Sequence, residues 1–169
     1  MGSSFDLAIE IVLKREGGYV NDPNDRGHET NFGISKRTYP NVDIKGLTKS
    51  QAKEIYKKDW WEKYGYSLLV DQGIACKTFD MAVNMGSGVS HRILQHAVNT
   101  LSSLSLTLDG FMGPQTCNAA NACHRGDLMA SLRVSAVSHY HAIVAVHPED
   151  NKYLNGWLKR ATDSDGLIV

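Results

Sequence analysis

Three residues near the start of the chain have the types and spacing of a hydrolytic site. They are Glu16, Asp25 and Thr30, in a stretch that opens Glu16-Gly17-Gly18-Tyr19 and closes Thr30-Asn31-Phe32-Gly33-Ile34. A carboxyl that donates a proton, a carboxylate that holds a water and a hydroxyl that orients it are the groups that break a glycosidic bond. Their surroundings are expected to divide the roles. Phe5, Ile9, Val12 and Glu16 recur at steps of four, three and four, so Glu16 shares the apolar face of one helix. Ser3 with Asp6 makes a capping-box-like start, and Gly17-Gly18 is expected to supply the positive-φ stop. A half-buried carboxyl at a helix C-terminus meets desolvation and the negative end of the helix dipole, and both favour its protonated form. Asp25 lies among Asn, Asp, Pro and Gly, a polar turn in which a carboxylate stays ionised. Asp22 and Glu29 are the rivals for that second role.

The elements that must hold these groups read as helices. Thr48 with Gln51 is a capping box opening a helix whose inward stripe is Ala52, Ile55, Tyr56, Asp59 and Trp60. Adjacent Trp60 and Trp61 cannot face the same way on a helix, so one is expected to pack and the other to stack on a sugar ring. A further helix covers 75–84, with Ala75, Phe79, Ala82 and Val83 inward, Gly86 as its stop, and Asp80 and Asn84 sharing a polar face. Another carries Ile93, Leu94, Ala97, Val98 and Leu101. The serine-rich stretch Ser102-Ser103-Leu104-Ser105 reads as a connector, Asp109-Gly110 as a turn, and Pro114 as the first residue of a new helix. A long helix over about 127–146, stopped by Pro148, and a short one around Trp157 complete the chain.

Composition narrows the function. The 169 residues hold 18 Lys plus Arg against 18 Asp plus Glu, so no overall field draws the chain to nucleic acid. Hydrophobic content of 42% is ample for a core, and no apolar run reaches membrane-spanning length. Asp6 and Glu10 interrupt the N-terminal apolar stretch, which argues against a signal peptide and for synthesis in the cytoplasm. Cys76, Cys117 and Cys123 are an odd set without CxxC spacing and read as core thiols. Neither His139 with His141 nor His91 with His96 has helical metal-pair spacing, and Arg26 and Gly33 fall where a calcium loop needs ligands. No metal and no cofactor is expected.

The run from Glu16 to Thr30 resembles the Glu, Asp, Thr arrangement of phage-type lysozymes, with one residue fewer before the threonine. Glu16-Gly17-Gly18-Tyr19 and Thr30-Asn31-Phe32-Gly33-Ile34-Ser35 are more specifically similar to glycoside hydrolase family 108. Asp80-Met81-Ala82-Val83-Asn84-Met85-Gly86, then Leu108-Asp109-Gly110-Phe111-Met112-Gly113-Pro114-Gln115-Thr116, then Gly156-Trp157-Leu158-Lys159-Arg160 extend the similarity over nearly the whole chain. His28 departs from it, standing where members usually carry a small residue. The resemblance implies an all-α protein, with a lysozyme-like catalytic part over 1–104 and a small helical peptidoglycan-binding part over 105–169. It implies an N-acetylmuramidase with Glu16 as acid, Asp25 and Thr30 presenting water, and Tyr19, Asn31, Trp60, Trp61, Asp80 and Asn84 as substrate contacts. The expected partners are peptidoglycan glycan strands and a holin-like translocation partner, for a monomer acting in the periplasm or wall. The alternatives are a lytic transglycosylase, a chitinase or chitosanase, and a non-catalytic wall-binding accessory of secretion or lysis.

Overall fold

The computed structural model describes residues 4–21 and 29–163, and divides the chain into two compact units, 1–64 and 65–169. Seven α-helices and three very short strands make up the regular structure among the described residues. The all-α expectation is met.

In the first unit, α1 (Ser4–Arg15) buries Ala8, Ile9 and Val12 along one face, as its periodicity dictates. Strands β1 (Val20–Asn21), β2 (Glu29–Asn31) and β3 (Ile34–Ser35) follow as an antiparallel sheet in that order. Thr30 is its central residue, opposite Val20 on one side and Ser35 on the other. Two- and three-residue strands are too short to show an alternating pattern in the sequence.

Helix α2 (Lys49–Tyr56) starts at the expected box. The Gln51 N–H donates to Thr48 Oγ1 at 3.3 Å, and the Thr48 N–H donates to Gln51 Oε1 at 2.9 Å. The helix then widens into a π-turn over Lys57–Glu62. The wider turn shifts the inward stripe by one residue. Ala52 and Tyr56 are buried as expected, but Trp61 rather than Trp60 continues them. Trp61 meets Phe5 edge-on, with ring centroids 5.6 Å apart.

The second unit contains α3 (Gln72–Met85), α4 (Ser87–Leu101), α5 (Pro114–Ala122), α6 (Arg125–Val146) and α7 (Asn151–Thr162). Asp71 caps α3 by accepting the Ile74 N–H at 2.9 Å, and Gly86, at φ +90°, turns the chain from α3 into α4. Gly73 to Ala82 are all buried, so this helix forms the centre of the unit. Pro114 is the first residue of α5, where its missing N–H costs nothing.

Two polar devices hold this unit. Lys77, on α3, donates its ammonium to the carbonyls of Arg160 and Ala161 at 3.0 and 2.7 Å, closing the C-terminus of α7. The second runs along α4, where His91, Gln95 and Asn99 recur at steps of four and share one face. Asn99 Nδ2 donates to Leu106 O at 2.8 Å while Asn99 Oδ1 accepts the Leu106 N–H at 2.7 Å. Gln95 Oε1 accepts the Gly110 N–H, and His91 Nδ1 donates to Gly110 O, both at 2.9 Å. The loop between α4 and α5, which includes the serine-rich stretch, is therefore fastened to α4 inside the second unit.

Candidate active site

Glu16 stands one residue beyond α1, half-buried, with its backbone N–H still donating to Val12 O at 2.8 Å. The helix thus fixes the Cα of Glu16, and the following glycines release the chain. Its carboxylate lies beside the turn between β2 and β3. Asn31 opposes Ile34, leaving Phe32 and Gly33 as a two-residue hairpin turn at φ +52° and +77°. Positive φ at both positions is the type I′ geometry that matches strand twist. A Cβ on Gly33 would stand 2.8 Å from Glu16 Oε2 and 2.5 Å from Tyr56 Oη. The Tyr56 hydroxyl donates to Phe32 O at 3.0 Å, so a fully buried side chain on α2 holds this strained turn. Glu16, the turn and Tyr56 form one packed cluster, and Thr30 lies on β2, the strand that leads into the turn.

The remaining expected contacts are placed differently from one another. Asp25 lies outside the described residues, as do its rival Asp22 and the departure at His28. Tyr19 is exposed, and its hydroxyl donates to Glu29 Oε1 at 2.9 Å, which raises the Tyr19 pKa. That bond engages Glu29, the other rival carboxylate, across the β1–β2 pair. Trp60 is half-buried, with the rings of Tyr56 and Tyr64 each 6.2 Å away.

Four expected substrate contacts have structural partners within the protein. Asn31 is 5% exposed, and its amide donates to Ile44 O at 3.0 Å and Leu47 O at 3.4 Å, pinning the loop before α2. Trp61 is committed to the core beside Phe5. In the second unit, Asp80 is 3% exposed and paired with the Arg160 guanidinium at 2.9 Å. Asn84, on the same helix, accepts a hydrogen bond from the Tyr140 hydroxyl. The four-residue spacing of Asp80 and Asn84 places them on one helix face, and the family resemblance is what implies that this face meets sugar hydroxyls. The partners of these two residues lie on α7 and α6, far away in sequence, and this pairing is what four-residue spacing on one helix does not reveal.

Gly33 and Tyr56 are the site residues that sequence reasoning left unassigned. The signal for Gly33 was its place within the Thr30 to Ser35 run, and for Tyr56 its place on the inward stripe of α2.

Residues 9–86 match the family Glycosyl hydrolase 108, and residues 89–162 match a domain described as a predicted peptidoglycan domain. Carried on this helical fold, the two matches define a glycoside hydrolase that acts on peptidoglycan. Among solved structures, the chain is similar to SagA of Brucella abortus, at 25% identity over 94% of this chain and 93% of that one, with a TM-score of 0.72. The chain therefore carries a glycosyl hydrolase 108 domain over residues 9–86, followed by the predicted peptidoglycan domain over residues 89–162. No curated protein sequence matches the chain. The two family matches meet at Gly86 to Gly88, the start of α4, whereas residues 104 and 105 lie in the loop that α4 fastens. No helix among the described residues is long and apolar enough to cross a membrane.

Proposed function

We propose that the chain is an N-acetylmuramidase that hydrolyses the β-1,4 bond between N-acetylmuramic acid and N-acetylglucosamine. Glu16 donates a proton to the departing oxygen. Asp25, with Thr30, presents the attacking water and takes up its proton, so that one water is consumed and one new reducing end is formed. The observation that carries this reading is the seat of Glu16. It is a carboxyl held at a helix end against the glycine of a hairpin turn whose strand bears Thr30. Trp60, half-buried among Tyr56 and Tyr64, is the ring we assign to stacking on a sugar, and Tyr19 a hydroxyl at the strand edge.

Mass spectrometry of fragments released from purified peptidoglycan by wild type, Glu16→Gln and Asp25→Asn tests the reading. Reducing muramic acid ends that disappear with either substitution are expected. Anhydro-muramic acid ends would overturn hydrolysis in favour of a transglycosylase, and activity surviving Glu16→Gln would overturn its role as the acid.

A further inference from the structure

The second unit contains a polar cavity that the catalytic reading does not use. The loop following α4 and the start of α5 enclose about 190 Å³, lined by polar groups including Gln95, Thr107, Asp109, Gln115 and Thr116. Phe111 stands on the same wall and is 72% exposed. A large apolar ring left in water asks for an explanation when the backbone is built to keep it there. The Phe111 N–H donates to Asp109 Oδ1 at 2.8 Å, and Phe111 O accepts from Gln95 Nε2 at 3.1 Å and Thr116 Oγ1 at 3.3 Å. Its ring rests on bare backbone, since a Cβ on Gly113 would stand 2.6 Å from Phe111 Cε1. Gln95 itself is buried on α4 and also donates to Asp109 Oδ1 at 2.7 Å. The aromatic face is thus fixed before any ligand arrives, which removes an ordering cost from binding.

We propose that this cavity, with Phe111 as its platform, binds one N-acetylated amino sugar of the glycan strand. The apolar C–H face of the sugar lies on Phe111, and its hydroxyl and acetamido groups reach the polar wall. The proposal rests on the peptidoglycan reading of residues 89–162. The lining supplies what such a sugar needs, because Gln115 and Thr107 can each donate and accept while the Asp109 carboxylate accepts. The volume lies below the roughly 300 Å³ at which pockets begin to enclose drug-sized ligands, so it suits one ring and not a disaccharide. An adjoining groove of about 380 Å³, lined mainly by Leu104, Leu106, Ala119 and Ala122, is the place a stem peptide would choose instead.

The test uses the full chain carrying Glu16→Gln, so that the glycan is bound and not cut. Isotope-labelled protein is titrated separately with glycan strands stripped of peptide and with free stem peptide, and amide shifts are read at Gly110, Phe111 and Gln115. The expected result is that glycan moves these signals and peptide does not. Phe111→Ala should weaken the response to glycan about tenfold, as loss of a central aromatic contact does, and Phe111→Tyr should restore it. Phe111 is exposed, so both variants should keep the spectrum of the rest of the chain. Glycan shifts confined to the first unit, or an unchanged affinity in Phe111→Ala, overturn the cavity assignment while leaving the muramidase reading in place. Shifts caused by peptide at Leu104 and Ala119 overturn the sugar as ligand. Reducing ends lost with Glu16→Gln but no binding anywhere in residues 89–162 would overturn the peptidoglycan reading of that segment alone.

Discussion

The carboxylate of Glu16 occupies the space that a side chain on Gly33 would need. The two residues lie on different elements, one ending a helix and the other turning a hairpin, and each limits what the other can be. Gly33→Ala adds a methyl group at φ +77° and forces either the turn or the carboxylate to move. The backbone conformation alone costs about 1–2 kcal/mol. Displacing a catalytic group by about 1 Å can cost roughly 100-fold in rate. We expect the melting temperature of Gly33→Ala to fall modestly and its kcat on peptidoglycan to fall about 100-fold, with KM nearly unchanged. A kcat equal to wild type would separate Glu16 from the turn.

The adjacent tryptophans should give opposite phenotypes. Trp61→Ala empties the core beside Phe5 and is expected to destabilise by about 3–5 kcal/mol, as large aromatic truncations in cores do. Trp60→Ala should cost much less in stability and raise KM for peptidoglycan while the denaturant midpoint stays close to wild type. Denaturation curves and steady-state kinetics on the same two variants check both statements.

Asp80 and Arg160 form a pair withdrawn from solvent, and removing the carboxylate takes from the guanidinium a charge partner bonded through both Nε and Nη2. Asp80→Ala should therefore destabilise the chain by about 3–5 kcal/mol. Its readout is urea unfolding followed by circular dichroism. Stability within error of wild type would show that solvent reaches the pair.

His91 makes stability depend on pH. Its Nδ1–H is spent on the Gly110 carbonyl, so Nε2 is left to accept from the Tyr66 hydroxyl at 2.9 Å. Burial pushes its pKa below the ordinary 6.5, and the carbonyl opposes that only in part. With the folded value below the unfolded one, the unfolded chain binds the extra proton first. The stability contribution is fully present above about pH 6.5 and is lost as pH falls from there through the lower folded value. We expect a decline of the melting temperature below pH 6.5 that is reduced in His91→Gln, measured by scanning calorimetry from pH 8 to about pH 5.

What could be read from the sequence was whatever is decided within one turn of chain. The Thr48 and Gln51 box, Gly86 and Pro114 each act on nearby backbone groups, and each stands where it was expected; α1 does end just before Gly17-Gly18, but neither glycine takes the positive φ expected of that stop. The β2–β3 hairpin escaped because its strands are stabilised by pairing and by Tyr56, not by their own pattern. The widened turn of α2 exchanged the roles of Trp60 and Trp61 by one position, which a 3.6-residue period does not anticipate. Asp80 and Arg160 are 80 residues apart, and Asn31 reaches 13 and 16 residues to its carbonyls. Such partners are set by tertiary packing, and an exposed polar face and a buried polar network share the same local spelling.

The three rungs that α4 offers through His91, Gln95 and Asn99 grip mainly the main chain of the loop, at Leu106, Gly110 and Phe111. Main-chain groups are the same whatever residue carries them. Positions such as Leu108 and Phe111, whose side chains face outward, can therefore change identity while the loop keeps its path. The fold in this way separates the residues that shape a surface from those that decorate it, and a single helix face can carry many different recognition surfaces without being rebuilt.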